Sequence, residues 1–217
     1  FALVFWVYLE TRSLLASSII AGAYMLIATV SSFWFGGIVD HHKKKSAMLF
    51  SSVATLGFFA AASLIYLAAP AGIFKSASSL WLWSFVCFIL IGVIMSNIRT
   101  IALPITVTIL VPEGERDRAN GVSGMIMGLS SSGAGIASGF ALAYLGILAI
   151  VAASILITIL ALIHLAFLTI PEDHVAHSDE NPKKLDVRGT MRIVAAIPGL
   201  FALIFFTTFN NFLGGVF

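Results

Sequence analysis

Residues 14–45 read LLASSIIAGAYMLIATVSSFWFGGIVDHHKKK. The first part of this stretch, Leu14–Val39, has 26 residues and no Asp, Glu, Lys or Arg. As a helix rising 1.5 Å per residue it reaches ~39 Å, enough to cross a hydrocarbon core of ~30 Å. The apolar run then gives way within one residue to Asp40, two histidines and three lysines. A long uncharged run that ends in a dense basic loop is the pattern of a membrane span leaving the bilayer.

Reading outward from it gives the same punctuation repeatedly. Upstream, Phe1–Leu9 is apolar but too short to cross, so it reads as the end of helix 1, followed by an aqueous turn at Glu10-Thr11-Arg12. Downstream, Ser46–Phe74 is uncharged and reads as helix 3, ending near Ala69-Pro70-Ala71-Gly72. Helix 4 is expected from about Ser79 to Val111, interrupted by Arg99 and Pro104, and residues 112–118 form the next loop. Ala119–Pro171 then runs 53 residues without Asp, Glu, Lys or Arg. One straight helix of that length would span ~80 Å, so the segment must fold back, and Tyr144-Leu145-Gly146 is the expected place. That makes helices 5 and 6. Glu172–Arg192 is the longest polar stretch. Within it Val187, Met191 and Val194 share a helical face beside Arg188 and Arg192, as in a short helix lying at a membrane interface. Ile193–Phe217 opens helix 7, still apolar where the chain stops.

The expected fold is therefore an all-α polytopic membrane bundle of about six transmembrane helices, with partial helices at the ends. Residues 1–170 form the bundle, 171–192 a linker and 193–217 the start of a further helix. Composition agrees: 59% of the 217 residues are hydrophobic and 10% charged, against ~25% charged in soluble domains. A net charge of +2 is too small to suggest nucleic acid. The single cysteine, Cys87, lies in an apolar run and is expected to pack. The basic residues sit unevenly. Lys43, Lys44, Lys45, Arg116, Arg118, Lys183, Lys184, Arg188 and Arg192 follow helices 2, 4 and 6, whereas Arg12 and Lys75 follow helices 1 and 3. This asymmetry places the first set in the cytoplasm of a cell-membrane protein.

Gly36, three residues, Asp40, and then the paired Lys44 and Lys45 resemble the signature loop of the major facilitator superfamily between helices 2 and 3. His41 stands where that family usually has Arg or Lys, and Lys43 where it usually has Gly. Val111-Pro112-Glu113 with Arg118-Ala119-Asn120-Gly121 is similar to a run between helices 4 and 5 in its drug-exporter-like branches. The resemblance implies a transporter of twelve helices in two similar halves, with a substrate site near the midplane and alternating access by rocking. It implies a small-molecule substrate, protons as the coupling ion, the bilayer as solvent and a missing C-terminal half as partners. This chain would be a piece of that longer polypeptide.

On physical grounds Asp40 is a carboxylate at a membrane boundary, able to pair with a cation or a helix N-terminus, and so to latch one conformation together with Gly36, Lys44 and Lys45. Alternatively the lysines only anchor topology. Arg116, Asp117 and Arg118 are candidate charge partners for Asp40, or simply a solvated loop. Helix 5 carries a stripe of small residues, among them Gly124, Gly128, Gly135 and Gly139, which suits close packing of helices in lipid. In the exporter pattern that the last two resemble, Ile136 stands in a proline's place. Arg99 is the charged residue well inside a span, at a cost of at least ~2.5–3.5 kcal/mol. It reads either as a coupling or substrate-anion site or as a member of a structural ion pair. Asn97, Asn210 and Asn211 are polar groups in apolar spans that would line a cavity or bond between helices.

No enzyme constellation, metal-ligand spacing or nucleotide-binding loop is present in the sequence, so no cofactor is expected. The leading expectation is a secondary active transporter working by proton-coupled efflux. The alternative is a membrane sensor or binding protein that docks a partner through Glu172–Arg192.

Overall fold

The computed structural model describes residues 2–171 and 187–216, the latter with side chains at 192 and 194–210 only. Among them every regular element is helical: α1 (Ala2–Thr11), α2 (Leu14–His41), α3 (Lys44–Ala68), α4 (Leu80–Leu110), α5 (Arg116–Phe167), α6 (Val187–Ala196) and α7 (Leu200–Val216). Four of these helices are long and apolar enough to cross a membrane. The last of the four, α5, is not one rod. Gly146 has φ 78° and ψ 177°, backbone open essentially to glycine alone, and it folds α5 into two arms, 116–145 and 147–167. The expected fold-back lies at this residue, and the two arms bring the number of full-length spans to five.

The chain divides into two compact units, Phe1–Glu180 and Asn181–Phe217. In the first, the packing runs from one end of the bundle to the other in two apolar clusters. The cluster at the α1–α2 turn joins Trp6 and Val7 of α1 to Ile20 of α2, Phe59 of α3, Leu82, Phe85 and Ile89 of α4, and Leu142, Ile147 and Val151 of α5. Four rings rivet it: Trp6, Tyr66, Phe74 and Phe85, with centroids 5.0–6.1 Å apart. The cluster at the other end joins Phe35 and Val39 to Ala47, Met48, Ile94, Ile98 and Ala102. In lipid such contacts hold by close packing rather than by water exclusion, so small residues and interhelical hydrogen bonds gain weight.

The α3–α4 seam shows both. A Cβ on Gly92 would lie 2.7 Å from the ring of Phe59, so only glycine lets these two helices come this close. Along the seam Ser51 Oγ donates to Met95 O at 2.6 Å, and Thr55 Oγ1 lies 3.2 Å from Gly92 O and 2.8 Å from Ser51 O. Both side-chain donors on α3, one serine and one threonine a helical turn apart, are buried where an apolar helix otherwise offers nothing to bond.

Hydropathy places one helix end correctly and misses another. α3 stops at Ala68, at the expected break over 69–72, because Pro70 and Gly72 (φ 78°) turn the chain, and Ile73–Lys75 forms a separate 3-10 turn. Residues Ile193–Ala196 belong to α6, and the following helix begins only at Leu200, since Pro198 and Gly199 (φ 83°) interrupt the apolar run. Cys87 is exposed on α4, on the side away from its buried neighbours Phe85, Val86 and Ile89, rather than packed. The short helix expected from Val187, Met191 and Val194 is α6. Lys183 and Lys184 lie outside the described residues.

Candidate functional site

A cavity of about 870 Å³ opens between α1, α2, α4 and the first arm of α5. Its α2 wall runs from Leu14 to Met25, its α4 wall from Ile89 to Val93 and its α5 wall from Gly135 to Leu142. All three stretches lie toward the α1–α2 turn, so the cavity occupies the half of the bundle remote from the Asp40–Lys45 loop. Gly135 and Gly139 shape the α5 wall, leaving room where larger side chains would intrude. None of the lining residues is charged. The polar groups are Tyr8, Ser17, Tyr24 and Ser138. The two serines spend their hydroxyls on their own helices, Ser17 on Ser13 O at 3.3 Å and Ser138 on Gly135 O at 2.9 Å. Neither phenol has a hydrogen-bond partner among the described residues, and neither is buried out of reach.

Arg99 lies elsewhere. It is not among the cavity-lining residues. It reaches across the α3–α4 seam, where Nη1 donates to Ser52 Oγ at 3.0 Å and Ser52 Oγ donates in turn to Met48 O at 2.9 Å. Ser52 is eight residues beyond Lys44, about 12 Å along α3. The guanidinium is therefore well inside the span, half-buried, with no carboxylate within ion-pair distance among the described residues. Asn97 is half-buried on α4 and Asn210 exposed on α7; the Asn211 side chain lies outside the described residues.

The loop between α2 and α3 is held by its lysines. Lys44 is buried, and its ammonium donates to Val39 O at 2.8 Å, closing the carbonyl end of α2. Lys45 Nζ donates to Ala166 O at 2.9 Å, at the carbonyl end of α5. Arg116 Nε donates to Val111 O at 3.2 Å, just past the last turn of α4. Three cations thus sit at the three carbonyl ends that converge on this side, where unsatisfied carbonyls and the helix dipole both favour positive charge. Asp40 is exposed and makes no ion pair or hydrogen bond to Arg116, Arg118 or any other described residue in this conformation. Arg118 and Asp117 are exposed. Gly36 has open space around its would-be Cβ, as do Gly124 and Gly128 on the first arm of α5.

Several of these groups escaped sequence reasoning. Tyr8 and Tyr24 carried no spacing signal, because aromatic residues fill membrane spans for many reasons. Ser51, Ser52 and Thr55 offered one: small polar residues at turn-spaced positions inside an apolar helix mark an interhelical seam.

A bundle of spans around an apolar cavity, with a capped basic loop after the second span, has the build of a small-molecule transporter. No curated protein and no solved structure matches the chain. The family model described as Major Facilitator Superfamily matches residues 1–217. The protein is an integral multi-pass membrane protein, and the chain belongs to the major facilitator superfamily of membrane transporters of small molecules.

Proposed function

We propose that this chain supplies the first half of a proton-coupled exporter of small amphipathic compounds, working by alternating access in the cell membrane with the Asp40–Lys45 loop on the cytoplasmic side. The observation that carries the reading is the cavity of about 870 Å³ with its uncharged wall: it is large enough for a drug-sized molecule and has the apolar lining such molecules require. The face of α5 with Gly124 and Gly128, open among the described residues, receives a helix of the second half. Asp40 is free to take a partner in another conformation, because Lys44 and Arg116 already hold the ends of α2 and α4 without it.

The chemistry divides the charged residues by role. Arginine keeps its proton at any physiological pH, so Arg99 serves as a fixed counter-charge rather than a carrier. Proton exchange then falls to a carboxylate. Among the described carboxylates Glu10, on α1 two residues beyond cavity-lining Tyr8, is the one that is not exposed.

The test is flux in inside-out vesicles containing the full-length protein. Uphill accumulation of an amphipathic dye, abolished by a protonophore, is expected. Downhill flux indifferent to the protonophore would remove the coupling, and absence of any flux would remove the exporter.

A further inference from the structure

From the cavity wall we infer that the substrate is an uncharged lipophile with hydrogen-bond acceptors, and that Tyr8 and Tyr24 select it through their phenol hydroxyls. The inference rests on the transporter reading of this cavity and narrows it to a substrate class. Three observations carry it.

The first is charge. No lining residue is ionisable at neutral pH; half-buried Arg99 faces Ser52 across another seam, and buried Lys44 is bonded to Val39 O at the far end of α2. A permanently charged substrate would lose its hydration against this wall with nothing to replace it. The second is the state of the polar groups. Ser17 and Ser138 already donate to backbone carbonyls, whereas the phenols of Tyr8 and Tyr24 are uncommitted among the described residues. A phenol donates one hydrogen bond and accepts others, so an ether, carbonyl or hydroxyl oxygen on the ligand satisfies it. The third is placement. Tyr8 sits near the end of α1 and Tyr24 ten residues into α2, about 15 Å along that helix, so the two hydroxyls belong to different walls and different depths. Two oriented donors on an apolar surface fix a ligand's orientation without demanding charge.

The experiment uses the full-length protein in detergent and scintillation proximity binding of two tritiated probes. Progesterone is uncharged, with carbonyl acceptors; tetraphenylphosphonium is a lipophilic cation of similar bulk. Saturable progesterone binding is expected, weakened roughly two- to tenfold by Tyr8→Phe and likewise by Tyr24→Phe, the range of one neutral hydrogen bond. Tyr144→Phe, on an exposed tyrosine that does not line the cavity, should bind as the unaltered protein does. Tetraphenylphosphonium should neither bind saturably nor displace progesterone. Absence of saturable progesterone binding, affinity in the two phenylalanine variants unchanged from that of the unaltered protein, or displacement by the cation overturns the inference. Its failure is separable from that of the exporter reading. Uphill flux with tyrosine-independent binding sinks the substrate class alone, while tyrosine-dependent binding without any flux sinks transport alone.

Discussion

Substituting Gly92 by alanine tests whether the α3–α4 seam is as tight as its geometry states. The added Cβ would stand 2.7 Å from two ring carbons of Phe59 and 3.3 Å from Phe58 Cβ. Carbon atoms rest at about 3.5–4.0 Å, so the ring must retreat by about 1 Å. Phe59 is buried and packs into the cluster around Trp6 and Phe85, which leaves it little room to go. Overpacking of this kind costs ~1–3 kcal/mol, and the better helix propensity of alanine returns up to ~1 kcal/mol. The net expectation is a loss of about 1 kcal/mol for Gly92→Ala and about 2–3 kcal/mol for Gly92→Val, which adds two further methyl groups. Denaturation in detergent micelles followed by tryptophan fluorescence measures it. The decisive arm is a cycle with Phe59→Ala, which deletes both clashing atoms. In that background Gly92→Ala should become neutral or stabilising, a coupling of about 1–2 kcal/mol. Equal cost in both backgrounds, or no cost in the unaltered one, would refute the steric argument.

Other expectations follow from the same geometry. Gly146→Ala forces a side chain onto backbone at φ 78° and ψ 177°, and should cost about 1–3 kcal/mol in the same denaturation assay. Ser52→Ala strips Arg99 of its hydrogen bond and should destabilise by roughly 1.5–3 kcal/mol, whereas Arg99→Met removes the half-buried charge and should leave stability equal or higher while vesicle flux is lost. Stability falling as far in Arg99→Met as in Ser52→Ala would make the arginine a structural element. Asp40→Asn, at an exposed residue, should leave denaturation unchanged and slow inside–outside exchange, read by site-directed spin-label distances; unaltered exchange removes the latch. Glu10→Gln should uncouple flux from the pH gradient while leaving downhill movement, and gradient-driven uphill flux persisting in that variant would exclude Glu10 as the proton carrier.

The spans were legible because the bilayer imposes a length. Leu14–Val39 and the 53 uncharged residues from Ala119 each have one physical solution, and the second had to fold where glycine allowed it. Element ends were less legible where a turn is built from backbone geometry inside an apolar run, as at Pro198–Gly199, although Pro70 and Gly72 did mark the end of α3. The site was harder still. Arg99 announced itself by cost, but nothing in residue order told that it faces Ser52 rather than the cavity. The tyrosines and the Gly92 contact depend on which helix lies opposite, and the small-residue stripe of α5 outshone Gly92 in the sequence while Gly124 and Gly128 face open space among the described residues.

The bond from Lys45 to Ala166 has a consequence for synthesis. Its two partners are separated by 121 residues, so when Lys45 emerges its acceptor has yet to be translated. At 5–20 residues per second the interval is roughly 6–24 s, and α3, α4 and both arms of α5 are made within it. Throughout that time the ammonium is committed to no α5 carbonyl and acts as a retention signal that holds its loop on one side of the bilayer. Once the second arm of α5 arrives, the same charge closes its carbonyl end. A substitution at Lys45 that seeks only to reverse the orientation of the nascent chain would therefore also loosen the finished bundle, because topology and closure are written in one side chain at two different times.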